Sequence, residues 1–252
     1  MKPKDWDKIA KIYHEEIVSP LRKGVNNPLF RKLNKIPDKK NKTIADIGCG
    51  RGEILDKLAK QFKHVYAFDF SPEMIKEAKK INSAKNITYG VNSFSQLDKY
   101  KQKFDVVLAI NSVLGPTITD VKTALEALHS VLKPNGKFFG IFPSMDAVLY
   151  QGMLILDSQI AEEKDEQKAR KKTKQLLEEK QHDFVKATYT YEGTVQKFYY
   201  GFELDVRLKD AGFKNITLSK VYYPWGRDVS GYIAFSGKPK MWDWFVEGTK
   251  QN

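Results

Sequence analysis

Apolar runs and amphipathic stretches alternate along this chain, and the alternation predicts strands and helices in turn. The block TIADIGCGRGEIL opens with a short apolar run typical of a buried parallel strand, and it then turns through three glycines. The stretch from Glu53 to Phe62 predicts the helix that follows. Further runs predict strands at 64–68, 87–91, 104–110, 137–142, 216–223 and 232–236, and helices at 72–81 and 204–211.

The turn after the first strand contains Gly48, Gly50 and Gly52. Because glycine lacks Cβ, such a turn can take positive φ or let a ligand approach the backbone, and the amides at the following helix start favour electron-rich groups. The second strand ends in Asp69, where a carboxylate can accept hydrogen bonds from the ribose hydroxyls of an adenosine. A dinucleotide pattern would need glycine at position 53. Since that residue is Glu53, the loop favours a smaller nucleoside ligand.

Four motifs stand in order between residues 42 and 142. They are Asp46-Ile47-Gly48-Cys49-Gly50-Arg51-Gly52, Asp69-Phe70-Ser71-Pro72, Phe104-Asp105-Val106-Val107-Leu108 and Leu132-Lys133-Pro134-Asn135-Gly136-Lys137-Phe138. Together they resemble the class I S-adenosylmethionine (SAM) dependent methyltransferases. The resemblance implies an α/β fold, namely a seven-stranded, mostly parallel, Rossmann-like sheet with helices on both faces. It also implies SAM as cofactor and S-adenosylhomocysteine as product.

The resemblance further implies which residues contact the cofactor. They are Asp46, Gly48, Cys49, Gly50, Asp69, Phe70, Met74, Ser93, Phe94, Asn111 and Tyr13. After the third strand the sequence departs from the family pattern, because Asn92-Ser93-Phe94 stand where the family commonly has an acid for the adenine amino group. Ser93 or Asn92 would have to replace that acid.

The segment before the first strand has apolar residues at helical spacing, followed by breaks at Ser19-Pro20 and Asn27-Pro28. The spaced residues are Trp6, Ile9, Ala10, Tyr13 and Ile17. Two helices are therefore predicted. Two roles stay open: the first helix packs on the domain, or the two helices form a lid over the methionine end of SAM, in which case Tyr13 or His14 faces the site.

The region after the fifth strand is expected to determine the substrate specificity. Residues 145–181 predict one long helix or two, and alternating stretches at 183–191 and 194–200 predict a hairpin around Glu192-Gly193. Tyrosines cluster here, which suits a pocket for an aromatic or amphipathic small molecule, although half-buried strand positions explain them equally well. The predicted substrate contacts are Tyr13, His14, Tyr150, Tyr199 and Tyr200.

These patterns divide the chain into a helical lid at 1–41, a SAM-binding core at 42–144, a substrate-capping insertion at 145–200 and a C-terminal completion of the sheet at 201–252. The single cysteine, Cys49, excludes an internal disulfide and a multi-cysteine zinc site, so a reducing cytoplasm and no metal are expected. No apolar signal segment follows the N-terminus, and no apolar run approaches the length of a membrane span. A monomer or homodimer is expected.

The net charge of +12 raises the possibility of a nucleic-acid substrate. Residues 1–40 hold eleven Lys/Arg and five Asp/Glu, so half of the excess lies there, and interleaved charges are typical of a solvated surface. The family's enzymes that methylate base amino groups have an N/D-P-P-Y/F motif where this chain has Asn111-Ser112-Val113-Leu114. We therefore do not expect a nucleic-acid substrate.

The predicted function is transfer of a methyl group from SAM to an oxygen, nitrogen or sulfur atom of a small molecule. Such an in-line displacement depends mainly on alignment, and a general base is needed only for a protonated acceptor. No catalytic base is identified from the sequence. The alternatives are an RNA methyltransferase and a SAM-binding regulatory protein without transfer activity.

Overall fold

The computed structural model describes residues 19–178, 182–191, 193–226, 235 and 237–251. Within these ranges the strands are β1 (Thr43–Ile47), β2 (His64–Asp69), β3 (Ile87–Val91), β4 (Phe104–Ile110), β5 (Leu132–Phe142), β6 (His182–Asp183), β7 (Thr188–Tyr191), β8 (Thr194–Lys197), β9 (Lys214–Tyr222) and β10 (Trp242–Thr249). The α-helices there are α1 (Leu29–Asn34), α2 (Leu55–Gln61), α3 (Pro72–Ile81), α4 (Ile118–Val131), α5 (Met145–Glu163), α6 (Glu166–Glu178) and α7 (Gly201–Asp210). The predicted first helix, at residues 6–17, lies outside the described residues.

Seven strands form one sheet in the order β3-β2-β1-β4-β5-β10-β9. Only β10 runs antiparallel to its neighbours, β5 and β9, so the predicted mostly parallel α/β fold is confirmed. Apolar residues cover both faces of the sheet. Leu128 of α4 and Leu208 of α7 belong to the core on one face, and Leu33 of α1 and Leu58 of α2 belong to the core on the other.

The last strand of the sheet differs from the prediction. Residues 232–236 are predicted to complete the sheet, but β10 occupies the position between β5 and β9. Residues 232–234 and 236 lie outside the described residues. The strand β10 contains Asp243 and Glu247, which weaken its apolar pattern, but tertiary contacts satisfy both acids: Asp243 accepts from Tyr223, and Glu247 pairs with Lys32.

Phe245→Leu is expected to lower the free energy of unfolding by about 1 to 2 kcal/mol, because the smaller side chain leaves a cavity in the core. Phe245 is fully buried in β10. Phe235→Leu is the matched control, because Phe235 is only partly buried and packs edge-on against Trp225. Urea unfolding would measure both variants. Equal losses would contradict the assignment of β10 to the core.

Two helices and a small sheet lie between β5 and α7. One long helix or two were predicted for residues 145–181, and the structure has two, α5 and α6; Lys164, with a φ of 51°, ends α5. The predicted hairpin is present in shorter form, with Thr188 paired to Lys197 and Tyr191 to Thr194, and β6 extends it to three strands. None of the described helices is long and apolar enough to cross a membrane.

The end of β8 is attached to the loop that follows β4. The backbone N–H of Lys197 donates to the carbonyl of Leu114 at 3.0 Å. The Lys197 ammonium is buried and donates to Glu203 Oε2 at 2.8 Å, which compensates its charge. The backbone N–H of Tyr199 donates to Pro143 at 2.8 Å. The segment between β8 and α7 therefore supports the loop between β4 and α4.

Candidate active site

A cavity of about 300 Å³ lies at the carboxyl edge of the sheet, where open α/β sheets bind ligands. This volume is within the range of small-molecule sites. The loops after β1, β2, β3 and β4 and the start of α4 line it. The predicted cofactor residues that line the cavity are Gly48, Gly50, Asp69, Phe70, Met74, Ser93, Phe94 and Asn111.

The glycine loop lines the cavity with backbone atoms that no side chain covers. Gly48 and Gly50 have φ values of 77° and 52°, a region that favours glycine. The N–H groups of Gly48 and Cys49 both donate to the carbonyl of Phe68, at 2.7 and 2.9 Å, which fixes the loop on β2. A Cβ on Gly48 would overlap the Ser112 side chain, whereas a Cβ on Gly50 would meet nothing within 4 Å. Gly50 therefore leaves space for a ligand.

Asp69 fixes the loop and contributes acceptor oxygens to the cavity. Its Oδ2 accepts from the Gly50 N–H and its Oδ1 from the Ser71 N–H, both at 2.9 Å. Ser71 in turn caps α3 by accepting from the Met74 N–H at 3.1 Å. Because one carboxylate oxygen can accept more than one hydrogen bond, Asp69 can also bind a pair of neighbouring hydroxyl groups.

Asp46 and Cys49 are predicted to contact the cofactor, but neither lines the cavity. Asp46 is buried in β1, and burial, with the nearby charges of Asp69 and Glu53, raises its pKa from 3.8 to about 7. Burial raises the pKa of the Cys49 thiol well above its ordinary value, and the carboxylates of Asp69 and Asp46 add to this. Cys49 is therefore a protonated loop residue, and its contribution is the backbone.

We expect the free energy of unfolding of the wild-type protein to fall, relative to that of Asp46→Asn, as the pH rises from about 4 to about 7. The folded state keeps a proton on Asp46 in this window, whereas the unfolded chain releases it, because the folded-state pKa is raised to about 7. Thermal unfolding of both proteins from pH 5 to pH 8 would measure this. Asp98→Asn at an exposed position is the control. Parallel pH profiles of the wild-type protein and Asp46→Asn would contradict the expectation.

The end of β4 carries a polar cluster that the sequence did not predict. Asn111 has a φ of 45°, an uncommon conformation that asparagine tolerates. Its Nδ2 donates to Asp243 Oδ2 at 3.2 Å, and the Tyr223 hydroxyl donates to the same oxygen at 2.5 Å. Burial raises the pKa of Asp243 to about 6, against the opposing hydrogen bonds from Tyr223, Asn111 and the Ser144 N–H.

Several further cavity residues were not predicted from the sequence, among them Ser112 and Asp120. Ser112 donates from Oγ to the Ile47 carbonyl at 2.8 Å and so joins the ends of β4 and β1. Asp120 accepts from the N–H and hydroxyl of Thr117 in a capping box at the start of α4. The Thr-x-x-Asp pattern was a local signal for the second. Ser112 had no such local signal, because its contact with Ile47 depends on the pairing of β1 with β4.

The adenine end predicted from the sequence contains Ser93 and Phe94 as cavity residues. The Ser93 N–H donates to Gln96 Oε1 at 2.9 Å, and the Ser93 hydroxyl lies 3.0 Å from that of Ser95. The Ser93 amide is thus already used inside the protein. Its hydroxyl and the neighbouring Asn92, which also lines the cavity, provide the polar groups of this wall.

Tyr199 is predicted to contact the substrate, but the structure places it in the core, and it does not line the cavity. Its side chain is fully buried, its ring packs edge-on against Phe142, and its hydroxyl donates to the Val113 carbonyl at 2.7 Å. It therefore supports the cavity wall from the core. The predicted contacts Tyr13 and His14 lie outside the described residues.

Tyr150 and Tyr200 also do not line the cavity. The Tyr150 hydroxyl donates to the Pro239 carbonyl at 2.9 Å, and the Tyr200 hydroxyl donates to the Phe184 carbonyl at 2.8 Å. Both hydroxyls thus bind backbone carbonyls of the chain itself. In the described structure these two hydroxyls link neighbouring parts of the chain, and neither tyrosine lines the cavity.

Residues 44–136 match the sequence model of a family described as a methyltransferase domain. A mitochondrial ubiquinone biosynthesis O-methyltransferase of Schizosaccharomyces pombe is 30% identical over 161 residues, which are 61% of this chain and 49% of that protein. A ubiquinone biosynthesis O-methyltransferase of Coxiella burnetii is 27% identical over 138 residues, covering 53% of this chain and 54% of that protein. The chain spans about half the length of the curated relatives it matches.

The fold is similar to that of 1,6-didemethyltoxoflavin-N1-methyltransferase from Burkholderia thailandensis, solved with 1,6-didemethyltoxoflavin and S-adenosylhomocysteine. The TM-score is 0.60 and the identity 16%, and the alignment covers 100% of this chain and 92% of that chain. At this identity the similarity concerns the fold alone.

Proposed function

We propose that this chain, which has the class I Rossmann-like methyltransferase fold and a methyltransferase domain at residues 44–136, transfers a methyl group from SAM to a small molecule. The observation that carries the proposal is the cavity wall formed by Gly50 and Asp69. Gly50 leaves open space at its Cβ position, and Asp69 lies beside it with both oxygens at the end of β2. This pair suits a ligand with an adenosine ribose.

The other cavity residues also fit SAM. Phe70, Met74 and Phe94 provide apolar surface for a purine, and Asn92 and Ser93 provide polar groups beside it. When bound, SAM supplies a methyl group that is open to attack by a nucleophile. Asp69 would hold the ribose of SAM. The backbone of the glycine loop could approach SAM closely without steric conflict, because Gly50 has no Cβ.

The contribution of the chain to transfer is to hold both molecules in line and to keep water away, because alignment removes much of the barrier to such a displacement. Oxygen is the acceptor atom we favour, because the relatives described above are named O-methyltransferases. A small molecule is favoured over nucleic acid because the cavity is about 300 Å³ in volume and the base-clamp motif is missing.

We further propose that residues 1–41 and 145–200 cover the cavity when the acceptor is bound. Two contacts support this. Ser19 Oγ donates to Glu53 Oε2 at 2.6 Å, so the N-terminal segment enters the described structure beside the glycine loop. The Lys197 N–H donates to Leu114 in the cavity wall, which attaches the second segment there.

A reducing, cytoplasmic location is also proposed, because the chain has a single cysteine.

Methyl-labelled SAM incubated with the purified chain would test the activity. Small hydroxylated compounds and a metabolite extract form one arm, and total RNA forms the other. Release of S-adenosylhomocysteine with label in a small molecule is the expected result. Label in RNA alone would replace the proposal with an RNA methyltransferase. Tight SAM binding without transfer to any acceptor would favour a regulatory protein, and absence of SAM binding would overturn the proposal.

A further inference from the structure

The wall of the cavity between β4 and α4 is a loop that the seven-stranded sheet holds at its start. Residues 111–115 of this loop line the cavity. The Asn111 N–H and the Ser112 hydroxyl donate to carbonyls of β5 and β1, and a capping box starts α4. For residues 113–116, the hydrogen bonds in the part of the chain that the structure describes come from residues 197–199. The position of the wall is therefore set by a segment outside the seven-stranded sheet.

Two consecutive carbonyl groups of the wall are fixed from this segment. The Tyr199 hydroxyl donates to the Val113 carbonyl at 2.7 Å, and the backbone N–H of Lys197 donates to the Leu114 carbonyl at 3.0 Å. The Tyr199 side chain is fully buried, and burial raises the pKa of its hydroxyl well above the ordinary value, so the hydroxyl keeps the proton that it donates. Because two neighbouring peptide units are held, the places of Val113 and Leu114 in the cavity wall are fixed as well.

The segment itself is anchored away from the cavity. The Tyr199 N–H donates to the Pro143 carbonyl at 2.8 Å, and the Tyr199 carbonyl accepts from the N–H of the first residue of α5 at 2.9 Å. The buried Lys197 ammonium donates to Glu203 Oε2 at 2.8 Å and to the Lys186 carbonyl at 3.1 Å. Since α5, α7 and the small sheet all hold the segment, these elements determine where the wall lies.

The strand order indicates which part of a ligand this wall would face. Asp69, the proposed ribose acceptor, ends β2, and Ser93 and Phe94 follow β3. The strand β4 lies two positions beyond β2, and strands are spaced by about 4.8 Å, so the wall lies about 10 Å from the end of β2. In SAM the adenine and the sulfonium are attached to opposite ends of the ribose. An adenine on the β3 side therefore directs the sulfonium toward β4, where the methyl acceptor must also bind.

We propose that Tyr199 is a positioning residue for methyl transfer, and that its hydroxyl, through the Val113 carbonyl, keeps the wall where the sulfonium end of SAM and the acceptor meet in line. The inference rests on the proposed function and deepens it. Tyr199 does not line the cavity, so it touches neither molecule and exchanges no proton with them. In-line displacement is sensitive to alignment, and a misplacement of about 1 Å can lower the rate of such a reaction about 100-fold. A shift of the wall is therefore expected to affect transfer more than nucleoside binding.

Tyr199→Phe tests this inference, with Tyr200→Phe as the matched control. Each change removes one hydroxyl that donates to a backbone carbonyl, at 2.7 Å from Tyr199 and at 2.8 Å from Tyr200, and each keeps the aromatic ring. The Tyr200 hydroxyl donates to the Phe184 carbonyl, and neither Tyr200 nor Phe184 lines the cavity. Both variants are assayed at a temperature at which thermal unfolding shows them to be folded.

Two measurements are made on each protein. Calorimetry with methylthioadenosine, which has the nucleoside of SAM without the amino-acid part, gives the affinity of the nucleoside side and counts the folded sites. The labelling assay, with the small molecule that takes up most label from SAM, gives kcat/KM per folded site. A merely structural role would lower the number of folded sites and leave kcat/KM per site unchanged.

We expect kcat/KM per site to fall about tenfold in Tyr199→Phe, while the methylthioadenosine affinity stays within about twofold of the wild-type value. The loss is smaller than the full cost of misalignment because the Lys197 N–H still holds the neighbouring carbonyl of Leu114. Tyr200→Phe is expected to keep both values.

Three results would overturn the inference. The first is an unchanged kcat/KM in Tyr199→Phe. The second is an equal loss in Tyr200→Phe, which would show that removal of any such hydrogen bond has the same effect. The third is a fall of methylthioadenosine affinity in Tyr199→Phe as large as the fall of kcat/KM, because the wall would then not act on the reacting end. A wild-type protein that binds no methylthioadenosine or methylates no small molecule would instead overturn the proposed function, and this inference with it.

Discussion

Asp69→Ala is expected to weaken SAM binding by about 100-fold or more. The change removes the acceptors for the ribose hydroxyls and leaves the N–H groups of Gly50 and Ser71 without the carboxylate oxygens they now bind at 2.9 Å. Each lost hydrogen bond to a charged group is worth about 1.5 to 3 kcal/mol, and about 1.4 kcal/mol corresponds to a factor of ten. Titration calorimetry with SAM and S-adenosylhomocysteine would measure the loss.

Asp69→Asn separates the two contributions. The asparagine keeps the size of the side chain and can accept at Oδ1, but its NH2 group cannot accept from a second backbone N–H. We expect intermediate affinity. Asp98→Ala, at an exposed acid outside the cavity, is the control for loss of negative charge and should bind SAM as the wild-type protein does. Unchanged SAM affinity in Asp69→Ala would sink the assignment of the ribose to this residue.

Gly50→Ala is expected to abolish measurable SAM binding while the protein stays folded. The new methyl group would meet no protein atom within 4 Å, so the fold accommodates it, but it would occupy the space that the cavity offers a ligand. The backbone cost is modest, about 1 to 2 kcal/mol for a residue with Cβ in the left-handed region. Thermal unfolding and SAM titration of the same preparation would show both effects.

Gly193→Ala provides a closely matched control. Gly193 has a φ of 76°, compared with 52° for Gly50, and a Cβ there would also meet nothing within 4 Å. It lies at the turn between β7 and β8 and does not line the cavity. Both variants should lose similar stability, and only Gly50→Ala should lose SAM binding. If the two variants bind SAM equally well, the glycine loop is not the cofactor site.

Local signals in the sequence were enough for several elements. The structure has α3 at Pro72–Ile81 and β3 at Ile87–Val91, at the predicted bounds. The helix start is defined by Ser71, whose hydroxyl caps the first turn, and by proline at the first helical position, and both effects act within a few residues. The glycine loop and Asp69 were identified for the same reason, since their spacing belongs to one unit of strand, turn, helix and strand.

Sequence patterns failed where a distant contact decides the structure. The apolar run at 232–236 fits a buried strand better than the mixed pattern of β10 does. The two acids of β10 are satisfied by residues distant in the chain, among them Tyr223, Asn111 and Lys32. Tyr199 has the polar tip of a pocket residue. Its position in the core follows from the Val113 carbonyl, 86 residues away, to which its hydroxyl donates.

The sequence by itself determined most of the strands and helices, the turn of glycines and the acid at the end of β2, because apolar periodicity, φ restrictions and short spacings act locally. The mostly parallel sheet was expected from the resemblance to the methyltransferase family. The tertiary structure alone decided which strand lies between β5 and β9 and which residues surround the end of β4. The contact between Asn111 and Asp243 joins residues 132 positions apart. A hydrogen bond over that separation depends on how β4, β5 and β10 pack side by side, and no local pattern encodes that arrangement.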